Sequence, residues 1–121
     1  MKTLAIQSGP WAGFWIQNGS RGAMRLNLHF SAISVAGAGW DRSGPFTLQG
    51  TFSTEGVVKF TKRYPTHSVY YRGIWNGAMI TGMWAIHHEG DIDTGEFEIW
   101  PESDELVLTE LNDTSQLYLL R

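Results

Sequence analysis

Apolar and polar residues alternate with a period of two in one short run after another, and nearly every run stops at a glycine, an asparagine or a proline. Met24, Leu26, Leu28 and Phe30 alternate with Arg25, Asn27 and His29, and Phe46, Leu48, Gly50 and Phe52 alternate with Thr47, Gln49 and Thr51. That period puts one set of side chains on one face of a strand and does not suit a helix. Asn18-Gly19 and Asn76-Gly77 are strong hairpin signals, and Glu55-Gly56 and Pro65-Thr66 are further turns. The chain has 14 glycines and 6 tryptophans. Glycine weakens helices and aromatic residues favour strands, so both counts point the same way.

The pattern predicts strands over 11–17, from Met24 onward, and over 46–52, 57–64, 67–75, 78–88 and 96–101. After Phe30 the parity breaks, because Ile33 and Val35 fall on odd positions. A bulge near Ser31-Ala32 would keep one apolar face along a single long, bent strand. The stretch GAGWDRSGPF, Gly37 to Phe46, has the spacing GxGxxxxG and leads into a strand. A phosphate loop of the GxGxxG type leads into a helix, so this stretch is read as a turn joining two strands. The acidic segment EGDIDTG is expected to connect the last two of these strands. Two apolar runs remain, ELVLTEL and SQLYLLR, separated by Asn112-Asp113-Thr114. The first is expected to close the sheet; the second suits either a strand or a short helix.

No linker, charge run or long-period repeat divides the 121 residues, so one domain is expected over 1–121, with a barrel body over 9–101 and a closing strand or oligomer contact over 102–121. The predicted class is all-β: a single up-and-down antiparallel β-barrel of about eight strands. With no helix long enough to cover a sheet, closing on itself is the available way to hide the edges. Net charge is −3, pI about 5.7, and charged residues make up 17% of the chain. Nucleic acid and anionic membranes are disfavoured as partners, since no basic field is offered. The absence of cysteine removes disulfides, thiolate nucleophiles and cysteine-type zinc sites. The N-terminal MKTLAIQSGPW carries one lysine and a four-residue apolar stretch, so neither a signal peptide nor a membrane span is expected and a cytoplasmic location is the simpler expectation.

A string of spaced residues runs through this pattern. Gly9-Pro10-Trp11 and Gly13-Phe14-Trp15 lie near the N-terminus. Further on come Gly37-x-Gly39-x-Asp41-x-x-Gly44-x-Phe46, Gly50, Phe60-x-Lys62-x-Tyr64, Tyr71-x-Gly73, Ile80-x-Gly82-x-Trp84 and Gly95-x-Phe97-x-Ile99-x-Pro101. The opening resembles that of calycin barrels, the group of lipocalins, fatty-acid binders and avidins. The longer string, about two-thirds of the chain, is similar to the small calycin-like barrel attached to some F-box and zinc-finger proteins. The resemblance implies a streptavidin-like or lipocalin-like barrel and no catalytic residues. Trp15-Ile16-Gln17-Asn18-Gly19-Ser20 is similar to the avidin pattern Trp-x-Asn-x-x-Gly-Ser, but it is one residue shorter and has Gln17 where the asparagine stands, which counts against a biotin site.

Lys62 is the most informative single residue, because alternation puts it on one face with Phe60 and Tyr64. A buried ammonium is expensive unless paired. Three arrangements are open: a structural pair with Asp41, a contact to a ligand carboxylate, or an ammonium snorkelling to the rim. Tyr71, Trp75 and Trp84 could wall a ligand, or could be core alone; Trp11, Trp15 and Trp84 could cluster at a closed end. The residues expected to line a ligand are Lys62, Tyr64, Tyr71, Trp84 and Asp41. His87-His88-Glu89 with Asp91, Asp93 and Glu96 has the atoms of a metal site, but adjacent strand residues point to opposite faces and the calcium-loop spacing is incomplete, so a solvated turn is expected. No nucleophile elbow organises Ser, His and Asp, and Arg25, Asn27 and His29 read as a wet outer stripe. The expected function is non-enzymatic binding, without a cofactor, of a small, partly apolar ligand or a short peptide at the open barrel end. The alternatives are a self-assembling interaction module with a filled lumen, using Leu106 to Leu111 and Leu117 to Leu120 as contacts, and, third, a small enzyme. A homo-oligomer is expected.

Overall fold

Alternation builds a sheet that must bury one face, and in this chain it does so by rolling up. The computed structural model describes residues 6–102. Its strands are β1 (Gly9–Gln17), β2 (Ser20–Ser31), β3 (Ser34–Asp41), β4 (Gly44–Phe52), β5 (Val57–Arg63), β6 (Ser68–Trp75), β7 (Ile80–His88) and β8 (Asp91–Pro101). Each pairs antiparallel with the next, and β8 returns to β1, where Trp11 lies opposite Pro101 and Trp15 opposite Phe97. The described residues thus form an all-antiparallel, up-and-down closed barrel of eight strands with no helix.

Inward positions follow the parity of the sequence. Met24, Leu26 and Leu28 of β2, Phe46 and Leu48 of β4, Val58 and Phe60 of β5, and Phe97 and Ile99 of β8 are all buried in the lumen. Each such side chain contributes roughly 1.5–3 kcal/mol when fully buried. The indoles fit only because glycines face them. A Cβ at Gly22 would stand 2.1 Å from the Trp15 ring, and one at Gly95 would stand 2.1 Å from the Ile16 carbonyl oxygen and 2.7 Å from the Trp84 ring.

One barrel end is plugged. Ile6 packs on the core, the Trp11 indole N–H donates to the Gln7 carbonyl at 2.8 Å, and the Phe30 amide donates to the Ser8 hydroxyl at 2.9 Å. The Trp11 ring lies 5.7 Å from Phe30 and 5.8 Å from Trp75, centre to centre. At the other end are the hairpins β1–β2, β3–β4, β5–β6 and β7–β8.

Several expectations are corrected. Ser31-Ala32 is not a bulge within one long strand: Ser31 pairs with Ser34 across a two-residue turn in which Ala32 takes a left-handed φ of 53°. The parity break was the signature of a hairpin, hidden because neither turn residue is glycine or asparagine. In Gly37 to Phe46 only Arg42-Ser43 turns; the flanking residues belong to β3 and β4, with Asp41 opposite Gly44. Likewise the connection after β7 is Glu89-Gly90 alone, and Asp91 to Gly95 are strand. Asn18-Gly19 makes the tight turn it signals, whereas Asn76-Gly77 opens a four-residue loop between Trp75 and Ile80. The eighth strand therefore comes from inside the chain, and β8 closes the barrel on β1 without ELVLTEL, which with SQLYLLR lies outside the described residues.

Candidate functional site

Lys62, fully inside the lumen on β5, is the charge that organises the unplugged end. Its Nζ donates to Asp41 Oδ2 at 2.9 Å and approaches the Met24 sulfur at 3.6 Å. The rings of Phe46, Tyr71 and Tyr64 lie at 4.7, 4.9 and 5.3 Å, so three aromatic faces add to the carboxylate in holding the cation. The pair with Asp41, one of the three arrangements left open by the sequence, is present, and the buried ammonium does not snorkel to the rim.

Asp41 ends β3, where the two-residue turn aims its carboxylate into the barrel. Oδ2 also accepts from the Tyr64 hydroxyl and, at 3.3 Å, from the Trp15 indole N–H, while Oδ1 accepts from the Ser43 amide at 2.9 Å. Burial alone would push the Asp41 carboxyl up. The Tyr64 hydrogen bond, the Lys62 charge and the remaining donors outweigh it and hold the group below the usual carboxylate value. Burial draws the Lys62 ammonium below the ordinary lysine value, opposed by Asp41. Tyr64 is raised, by burial first and then by its bond and proximity to the Asp41 carboxylate.

Beside this cluster lies a cavity of about 60 Å³, lined by Trp15, Gln17, Ser43, Lys62, Tyr64, His67, Val69, Tyr71, Trp84 and Ile86. Four of the five residues expected at a ligand site line it: Lys62, Tyr64, Tyr71 and Trp84. Asp41 stands one hydrogen bond behind them. Trp84 is held by its indole N–H donating to the Ile16 carbonyl at 3.0 Å. Trp75 does not join this wall, because it lies at the plugged end against Trp11. The expected cluster of Trp11, Trp15 and Trp84 is likewise divided between the two ends. Trp15, Gln17, Val69 and Ile86 were legible as inward positions by parity, but Ser43 and His67 sit in turns, where period two says nothing.

Tyr71 is 4% exposed, and among the described residues its hydroxyl has no hydrogen-bond partner. Burial first, then electrostatic coupling to the neighbouring Tyr64 phenol and Asp41 carboxylate, push its ionisation well above the ordinary tyrosine value, so it stays a phenol. A buried hydroxyl without a partner costs about 1–3 kcal/mol, and this one borders the cavity. At the rim His67 stacks on Tyr64 with ring centres 4.7 Å apart, and Gln17 donates to Asp93 at 2.9 Å. No protein-family model matches the chain, and no curated protein matches it either.

Proposed function

We propose that the barrel binds one small, partly apolar ligand at its unplugged end, inserting a neutral oxygen-bearing head into the cavity beside Tyr71. The unpartnered phenol of Tyr71 carries the reading, since a ligand oxygen would satisfy it. A neutral head fits better than a carboxylate: Lys62 and Asp41 already cancel, and an added anion would be a second, uncompensated buried charge. The cavity is far smaller than the roughly 300–1,000 Å³ of pockets that engulf a whole ligand. The ligand body therefore rests at the rim, near Gln17, Ser43 and His67. The resemblance of the sequence to calycin barrels, and the room that eight-stranded barrels offer for one small molecule, support the same reading. No catalytic role is assigned to Asp41, Lys62 or Tyr64, whose polar atoms are committed to one another.

Native mass spectrometry of protein purified from its own host is the direct experiment, and an added mass that survives purification identifies the ligand. In parallel, cyclopentanone and cyclopentanecarboxylate are titrated while the Trp15 and Trp84 indole N–H resonances are followed. The ketone is expected to shift both resonances, with Tyr71→Phe weakening it about tenfold, the worth of one buried hydrogen bond. Equal response to the acid, or an unchanged affinity in Tyr71→Phe, would overturn the assignment.

A further inference from the structure

The outer face of β5 to β8 carries an ordered row of side chains. Lys59 lies opposite Arg72, Arg72 opposite Met83, and Met83 opposite Glu96. Read across four adjacent strands, the row is basic, basic, apolar, acidic. Lys59, Arg72 and Glu96 are exposed, and none makes an ion pair among the described residues. Tyr70 and Ile74, on either side of Arg72 along β6, and Met83 on β7 are each about half exposed at 49%, 48% and 47% and are the apolar part of the face. A shallow groove of about 510 Å³ runs over it, bordered by Lys59, Tyr70, Arg72 and Met83.

We infer that this face pairs with the same face of a second copy of the chain about a two-fold axis running along β7 through Met83. An axis in that direction exchanges the two sides of the row. Arg72 of each copy then faces Glu96 of the other, and the two Met83 side chains meet on the axis. An axis across the strands would instead set Arg72 against Arg72 and Glu96 against Glu96. Of an axis along the strands and one across them, charge complementarity therefore selects the first, as a self-complementary patch must. Among the described residues the closed barrel leaves no free strand edge, so association goes through faces rather than through added strands. The dimer is independent of what the lumen holds.

Sedimentation velocity on the full chain, loaded from about 1 to 100 µM, spans the range in which modest interfaces associate. The wild type is expected to show a monomer–dimer equilibrium that weakens as sodium chloride is raised. Arg72→Glu and Glu96→Arg each create two like-charge pairs per dimer and are expected to weaken it about tenfold or more. Arg72→Glu combined with Glu96→Arg restores complementarity with the signs exchanged, and is expected to return within about threefold of wild type. Far-UV circular dichroism reports folding of these exposed substitutions. A monomer throughout the range would overturn the inference; so would a dimer indifferent to the single reversals, or a double variant no better than the singles.

Discussion

Replacing Lys62 by methionine removes the ammonium and keeps a stem of nearly the same length and shape, so the change isolates charge. Asp41 is then left with a side chain at 0% exposure, still accepting from Tyr64, Trp15 and Ser43 but without its counter-ion. Removing one partner of a buried ion pair costs about 3–5 kcal/mol, because the other charge stays in a poorly solvating interior. At about 4 °C per kcal/mol for a domain of this length, Tm should fall by about 12–20 °C. Urea unfolding followed by tryptophan emission at neutral pH gives the free-energy difference, and Asp41→Asn with the double variant completes a cycle. The double variant strands no charge, so its cost should fall at least about 2 kcal/mol short of the sum of the singles. The pH dependence has a definite sign. The wild-type Asp41 carboxyl is held below its ordinary value, so its stabilisation is present above the unfolded pKa of 3.8 and is lost as pH falls through the lower folded value. In Lys62→Met the carboxylate is a liability, and protonation relieves it. The gap between wild type and variant should therefore narrow on acidification. A single-variant cost under about 1 kcal/mol, the worth of an exposed pair, would show that water reaches Asp41 and would refute the burial argument.

Two further substitutions test the local backbone and the lumen. Ala32→Gly removes the cost of a non-glycine residue at φ 53° in the β2–β3 turn and should raise stability by up to about 1 kcal/mol in the same urea assay. Gly95→Ala places a methyl against the Ile16 carbonyl oxygen and the Trp84 ring; it should cost about 1–3 kcal/mol and alter the near-UV circular dichroism of Trp84.

Part of the candidate site was legible before the fold was known. The spacing of Phe60, Lys62 and Tyr64 sets all three on one face of a strand, and the buried ammonium demands a partner, which made Asp41 a candidate. Which tryptophan belonged to which end was not legible. Trp11 and Trp15 share a strand and a parity, yet a strand of nine residues spans the barrel from plug to rim, so the two indoles serve opposite ends. The β2–β3 hairpin was hidden because Ala32-Ile33 lacks the residues that usually accept a left-handed turn.

Period-two alternation and turn residues, properties of neighbours in the chain, were enough by themselves to determine an all-β, up-and-down antiparallel order and the inward set on most strands. The closure of β8 on β1, the convergence of Trp15, Asp41, Lys62, Tyr64 and Tyr71 at one mouth, and the exposed row from Lys59 to Glu96 depended on register between strands. Register is set by how the whole sheet twists and packs, so only the tertiary structure decided them.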